Sequence, residues 1–503
     1  VGIRSALVVG GFTLFIALRP WWDRALVTAY MATFGVIVSA TIGVITGSLC
    51  AQNTKSTKIA LGVCDTLQTF PSFVYLIPVM MLFGITDTSV LIAVIVYATI
   101  PATRYTIEGL RSVPQALHDA ASMSGVTRLQ RLFNIEFPLV AFTHCRDVVV
   151  AVSKAGGCGV LGAVGMTPAQ LEEELKWIDD HIDGLPYGVD VLIPNKMAGK
   201  DQKFDSEKLV SMIPQEYADF RADLLEKHGI EASEFRTIKP SATYMAENTK
   251  ADGAKALLDV AFSHPIKLIA NALGVPPDWM LQMGKDNDVK VAALLGTAQH
   301  AINQVKAGVD ILVVSGTEAG GHCGSVPTMV LIPEVHEAIQ PYGDVPILAA
   351  GGIVTGKQMA AAMSMGASGA WCGSVWLTTI ESEVDPVIKE KMIAANSSQT
   401  VRSRSRTGKH SRQLQSTWTD AWESDKAPEP LPMPLQPMVA EPALQKVNKL
   451  AAGGHKGAQD LATYWVGQGV GLMNQSISAS DVVQDFKEDF IGAYERMTGF
   501  FEE

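Results

Sequence analysis

Two absences set the first bounds. The chain has no CxxC pair, and its six cysteines (Cys50, Cys64, Cys145, Cys158, Cys323, Cys372) lie far apart in apolar or Gly-rich surroundings. That excludes a zinc ribbon or a thiol-exchange site and leaves reduced, buried thiols as the expectation. No long run of Lys or Arg occurs either, and the net charge of −11 is spread along the chain, so nucleic acid is not expected as a partner. Charge is scarce altogether: 18% of residues are charged against 48% hydrophobic, and the mean hydropathy is +0.18. Part of the chain is therefore not built to face water. With 503 residues, more than one structural unit is expected. The chain opens at Val1 inside an apolar stretch without an initiator Met, so the native N-terminus is expected upstream.

From Ala25 to Asn53 no residue carries a charge. At about 1.5 Å per residue such a helix crosses a hydrocarbon core about 30 Å thick. Shorter or interrupted apolar segments run from Ser5 to Leu18, Thr66 to Phe83 and Thr88 to Thr103, giving four candidate spans. Asp65, Pro71 and Pro78 at the third are costly in lipid unless neighbouring helices cover them, which predicts a packed bundle. Lys55 and Lys58 follow the second span and Arg104, Arg111, Arg128 and Arg131 the fourth, while the link at Gly84 to Asp87 has no Lys or Arg. Both basic loops are thus assigned to the cytoplasmic side of a bacterial-type inner membrane, with Arg19 and Arg24 opposite.

After about Phe137 the pattern changes to short apolar runs alternating with charged amphipathic segments. Eight runs can be counted: Leu139 to Phe142, Gly157 to Gly162, Gly188 to Ile193, Ile266 to Ala270, Val289 to Ala293, Asp310 to Ser315, Val345 to Ala349 and Gly369 to Gly373. Helices between them are marked by Thr167 with Pro168 at one start, and by Gly308 closing another that runs from Thr297 to Ala307. The predicted fold is a closed (β/α)8 TIM barrel preceded by an all-α transmembrane segment. Residues 197–255 read as a polar helical insertion. The Pro-rich stretch Ala427 to Pro442 reads as a surface wrap leading to an amphipathic helix from about Ser480, and residues 427–503 together as a C-terminal wrap.

The stretch Ala116 to Pro138, ALHDAASMSGVTRLQRLFNIEFP, has a small-residue turn around Gly125 between two helical pieces. It resembles the EAA loop of ABC-importer permeases, and the upstream run DTLQTFPSFVYLIPVMMLFG is similar to the glycine betaine/proline branch of that family. The resemblance implies a partial permease domain over residues 1–137, a multi-pass membrane location, and an ATPase subunit as partner at Asp119, Ala120, Ala121 and Gly125. Such permeases continue into further spans where this chain enters the barrel at residue 138. Transport by this fragment alone is therefore not expected.

In a (β/α)8 barrel the working groups sit on the loops after each strand. After Ser315 comes a loop in which Gly316, Gly320, Gly321 and Gly324 surround His322; this lets a flat ligand approach the backbone while an imidazole points inward. Gly351 and Gly352 follow the seventh run, and Gly373 and Ser374 the eighth, where such barrels gather N–H groups around a phosphate. A Gly-Gly pair alone reads equally as a tight turn, and a lone His as structural.

These stretches resemble the nitronate monooxygenase family of FMN-dependent barrels from about Phe137 onward: AVSKAGGCGVLGA at 151–163, AGGHCG at 319–324, AAGGIVTGKQMAAAMSMGASGAWCGS at 349–374 and VGQGVG at 466–471. The resemblance implies His322 as catalytic base, Gly320, Gly352, Gly373 and Ser374 as holding FMN and its phosphate, and Ser315 and Asp190 as near the isoalloxazine ring. The family usually carries Gln and Asn where Ser315 and Asp190 stand. It further implies oxidation of a small nitroalkane or nitronate by dioxygen, with no metal and with the barrel on the cytoplasmic side. The alternatives are an NAD(P)H-dependent flavin reductase of the quinone or enoyl-acyl-carrier-protein type and, in another class, a permease subunit for glycine betaine/proline-like solutes. His144 could line the pocket, His300 and His336 are expected on solvent-facing helix surfaces, and Arg402, Arg404, Arg406 and Lys409 as a solvated or flavin-shielding loop.

Overall fold

A computed structural model describes residues 15, 17–19, 21–51, 54–71, 73–112, 128–193, 206–239 and 251–500. The chain divides into two compact units, Val1–Ser122 and Met123–Glu503.

The first unit holds four helices: α1 (Trp22–Ala51), α2 (Thr54–Gln68), α3 (Phe73–Phe83) and α4 (Asp87–Ser112). Among the described residues two helices, Trp22–Cys50 and Asp87–Gly109, are long and apolar enough to cross a membrane. The span expected over Thr66 to Phe83 is not one helix, because Ile59–Gln68 and Phe73–Phe83 meet at 86°. Pro71 lies in that break; it has no N–H to continue a helix and disfavours helical backbone at the residue before it. The candidate Ser5 to Leu18 falls almost wholly outside the described residues, as do Asp119, Ala120, Ala121 and Gly125.

The second unit is a closed parallel barrel of eight strands: β1 (Leu139–Thr143), β2 (Cys158–Gly162), β3 (Tyr187–Val191), β4 (Leu268–Asn271), β5 (Lys290–Leu295), β6 (Ile311–Ser315), β8 (Ile347–Ala350) and β9 (Gly369–Cys372). β9 pairs back onto β1 to close it. All eight apolar runs are strands. A capping box of Thr167 and Gln170 starts the helix Pro168–His181, and Gly308, with φ +89°, stops Ala298–Ala307.

Alternation sorts the side chains. Tyr187, Val189, Leu312 and Val314 face the surrounding helices, while Val140, Val160, Leu268, Ile311 and Val313 fill the barrel interior. Leu129 and Phe133 of α5 (Arg128–Phe133), with Ile135, are buried against that interior set and form its floor. The boundary expected at residue 137 thus falls inside the second compact unit.

The Pro-rich stretch is not a surface wrap. Leu435–Ala452 is a helix containing Pro442, and its apolar stripe of Val439, Ala440, Ala443, Leu444 and Val447 is buried. Arg221, buried in the insertion, donates to Val439 O at 3.0 Å and so ties the insertion to this helix. The last helix runs Ala479–Gly499, with Ser478 as its N-cap.

Candidate functional site at the barrel mouth

The strand β7 (Gly321–His322) leaves the barrel after β6 and pairs antiparallel with β11 (Ser411–Leu414), which pairs in turn with β10 (Thr400–Ser403). This small sheet fixes His322. Its Nε2 lies 2.9 Å from Thr407 Oγ1, and the Thr407 hydroxyl donates to Lys409 O at 3.2 Å. The Trp465 ring stands 6.4 Å from the imidazole. Arg406 lies over that indole at 3.8 Å and is paired with Glu441 at 2.6 and 3.1 Å.

One edge of the His322 ring opens to solvent while protein crowds the others. Burial foremost, then the positive charges of Lys409 and Arg406, lowers its pKa to about 4. The imidazole is therefore neutral at pH 7.

Asp190 and Ser315 share one layer. By alternation Asp190 on β3 and Ser315 at the end of β6 point into the barrel at its C-terminal mouth, the layer that also holds Phe142, Leu294, Ala350 and Trp371. Asp190 is 3% exposed, and its Oδ2 is buried without a hydrogen-bond partner. Burial raises its pKa well above the usual carboxylate range.

The glycine turns meet on a third element. Ser374 Oγ accepts the Gly467 N–H at 2.8 Å, a Cβ on Gly320 would stand 2.8 Å from Gly467 N, and one on Gly469 the same distance from Gly352 O. The segment Val466 to Gly471 thus bridges the loops after β6, β8 and β9. Gly373 precedes the 3-10 turn Ser374–Thr378 and lies against Phe142. Gly351 and Gly352 both take positive φ, +101° and +73°, which glycine adopts without penalty.

A phosphorylated flavin fits these groups. Paired turns offer backbone N–H donors, Ser374 keeps its own proton to donate, and the orphaned Asp190 oxygen awaits a partner. The cavities of about 230 and 330 Å³ lie behind the late turns, against the last helix, and on the barrel floor; neither touches His322 or Asp190.

Other expectations fare unevenly. His144 follows β1, its Nδ1 3.0 Å from Gly162 O and its ring against Phe142. His300 is exposed on its helix, whereas His336 is half-buried beside Gly366. Arg406 is buried and paired, not solvated, and Arg404 pairs with Glu429. Thr407, Glu441 and Trp465 carried no local signal. Thr407 meets His322 only because two strands 85 or more residues apart pair.

Comparison with known proteins agrees with this geometry. Residues 127–489 match the nitronate monooxygenase family, and residues 41–162 match the binding-protein-dependent transport system inner membrane component. The monooxygenase Rv1533 of Mycobacterium tuberculosis is 51% identical over 375 residues, 74% of this chain and 98% of that protein. The trimethylamine N-oxide transport system permease protein TmoV of Pelagibacter ubique is 77% identical over 143 residues, 28% of this chain and 20% of that permease. The chain thus spans about a fifth of the permease's length. Among solved structures, nitroalkane oxidase from Streptomyces ansochromogenes superposes with a TM-score of 0.59 at 25% identity, covering 73% of this chain and 99% of that one.

Proposed function

The chain belongs to the nitronate monooxygenase family through its barrel, and from that premise we propose that the barrel is an FMN-dependent oxidoreductase acting on nitronates or nitroalkanes with dioxygen. The family is one of flavoproteins and the chain carries an oxidoreductase domain. The observation that supports the finer reading is His322: a neutral imidazole of pKa about 4 beside the glycine turns.

Thr407 sets the tautomer in this reading. Its proton goes to Lys409 O, so its oxygen accepts from His322 Nε2–H and Nδ1 keeps the lone pair. A carbon beside a nitro group gives its proton to that nitrogen. The field of Lys409 and Arg406, which weakens the base, also stabilises the negative charge that develops on the nitro oxygens. Gly320, Gly352, Gly373 and Ser374 would hold the phosphate of FMN, with Asp190 and Ser315 under its ring; bound there, it supplies the two-electron oxidation and passes electrons to dioxygen.

The test is anaerobic bleaching of the flavin-loaded full chain. A nitronate should bleach it and NADH should not. Bleaching by NADH alone would assign a flavin reductase of the quinone or enoyl-acyl-carrier-protein type.

The first unit is read as a multi-pass membrane anchor of the ABC-importer permease family with the barrel on the cytoplasmic side, and we place the boundary between the parts ahead of Arg128. A fifth of a permease does not make a pathway, so transport of trimethylamine N-oxide or glycine betaine-like solutes would need a fuller partner. Co-purification with an ATPase subunit, lost on Gly125→Trp, tests the contact at Asp119 to Gly125.

A further inference from the structure

The most unusual group at the mouth is a carboxyl with nothing to bond. Asp190 sits on β3 between Gly162 of β2 and Ala270 of β4, neither of which has a polar side chain. Its layer-mates Phe142, Leu294, Ala350 and Trp371 are apolar, and Ser315 is the only hydroxyl among them. The titratable group facing it from the first strand's end is His144, whose Nδ1 is engaged with Gly162 O at 3.0 Å. From β4 the next polar group, Asn271, bonds the backbone of Ile193 at 2.8 and 3.3 Å instead. Among the described residues no cation acts on Asp190, and burial is what raises its pKa. A carboxylate in such a layer would be neither solvated nor paired, so the site holds the protonated form.

That form has a specific complement. A carboxylic acid shows one donor and one acceptor side by side in a plane, and its match is a planar edge with an adjacent N–H and C=O. The isoalloxazine ring carries such an imide edge. We infer that Asp190 stands un-ionised in the barrel mouth and pairs, through hydroxyl and carbonyl together, with the imide edge of the bound flavin. This rests on the flavin reading above and makes Asp190 a positioning residue whose grip is lost when it ionises.

The experiment measures FMN affinity of the full chain in detergent, by quenching of flavin fluorescence, from about pH 5 to about pH 9. If only the protonated form binds, Kd stays level at the acid end and then rises about tenfold per pH unit. Asp190→Asn keeps a donor and an acceptor at every pH, so its curve should carry only the ionisation of the ligand's phosphate near pH ~6, which both proteins share. FMN methylated at the imide nitrogen should bind the unaltered chain weakly and without the alkaline rise; this arm does not depend on any variant folding. A wild-type curve parallel to that of Asp190→Asn, or a level wild-type curve, overturns the inference while leaving the flavin reading intact. Failure of both proteins to bind FMN at every pH overturns both.

Discussion

The two units bury opposite things. In the first, large apolar side chains point outward: Leu49 is 63% exposed, Met81 83% and Ile37 59%. Its hydroxyls turn back on their own helices, as Thr28 does to Arg24 O and Thr103 to Thr99 O, at 2.8 and 2.9 Å. That is how a polar group is satisfied where water is absent. In the barrel, apolar side chains go inside and polar ones join distant elements, as Arg221 joins the insertion to the helix Leu435–Ala452. One chain is thus written for two solvents, and the change falls ahead of α5, whose Leu129 and Phe133 already obey the second rule.

The largest test breaks the comparison at that point. Removing residues 1–122 should leave a folded, flavin-binding barrel, whereas removing residues 1–137 also takes away Leu129, Phe133 and Ile135 from the floor. Each such loss costs about 2–5 kcal/mol, together comparable with the roughly 5–15 kcal/mol that holds a domain folded. Thermal melts of the two fragments decide it, and equal melts would refute the floor. Next in size, His322→Ala should lower turnover of a nitroalkane by about 10²–10⁴-fold while flavin still binds. With the intact base, kcat/KM should fall only below about pH 4, because His322 is neutral above its lowered pKa. A limb near the ordinary value of 6.5 would show that the surrounding cations do not act on it.

Much of this could be read in the residues beforehand. Eight runs bounded by Gly, Pro or charge became eight strands, since a parallel strand covered on both faces must be continuously apolar. Gly320, Gly352 and Ser374 could be named because glycine turns after strands are local signals. What brings them together is the segment Val466 to Gly471, and what holds His322 is Thr407; both depend on long-range pairing that no local pattern encodes. Pro442 misled for a different reason. A helix whose apolar stripe is buried tolerates an interior proline that composition alone would read as a breaker. At Pro71 the same residue type does break the apolar run.

A smaller effect is expected within the first unit. Gly43 lies where α1 crosses α4, and a Cβ there would overlap Ala102. Gly43→Val should therefore cost about 1–3 kcal/mol of helix packing. Protease susceptibility of the detergent-solubilised chain should rise for the first unit, with the barrel's melting unchanged. A shift in both would mean the two parts are not independent.

The smallest effect sets two histidines of the barrel against each other. His264 Nδ1 lies 2.6 Å from Asp179 and its Nε2 3.1 Å from Glu172. Burial alone would lower its pKa, but the hydrogen bonds and charges of the two carboxylates outweigh it and raise the pKa above 6.5. A raised pKa means that the folded state binds the proton more tightly. The stabilisation is therefore complete below pH 6.5 and fades as pH climbs through the folded value. His322 has the opposite sign: between about 4 and 6.5 the unfolded chain takes up a proton that the folded one refuses, so stability rises with pH across that window. His264→Gln should lower stability on the order of 1 kcal/mol at acid pH and hardly at alkaline pH. His322→Gln should flatten the acid limb alone. Denaturation midpoints followed against pH by near-ultraviolet circular dichroism separate the two, and a His264→Gln loss that persists unchanged at high pH would remove the carboxylate clamp from the account.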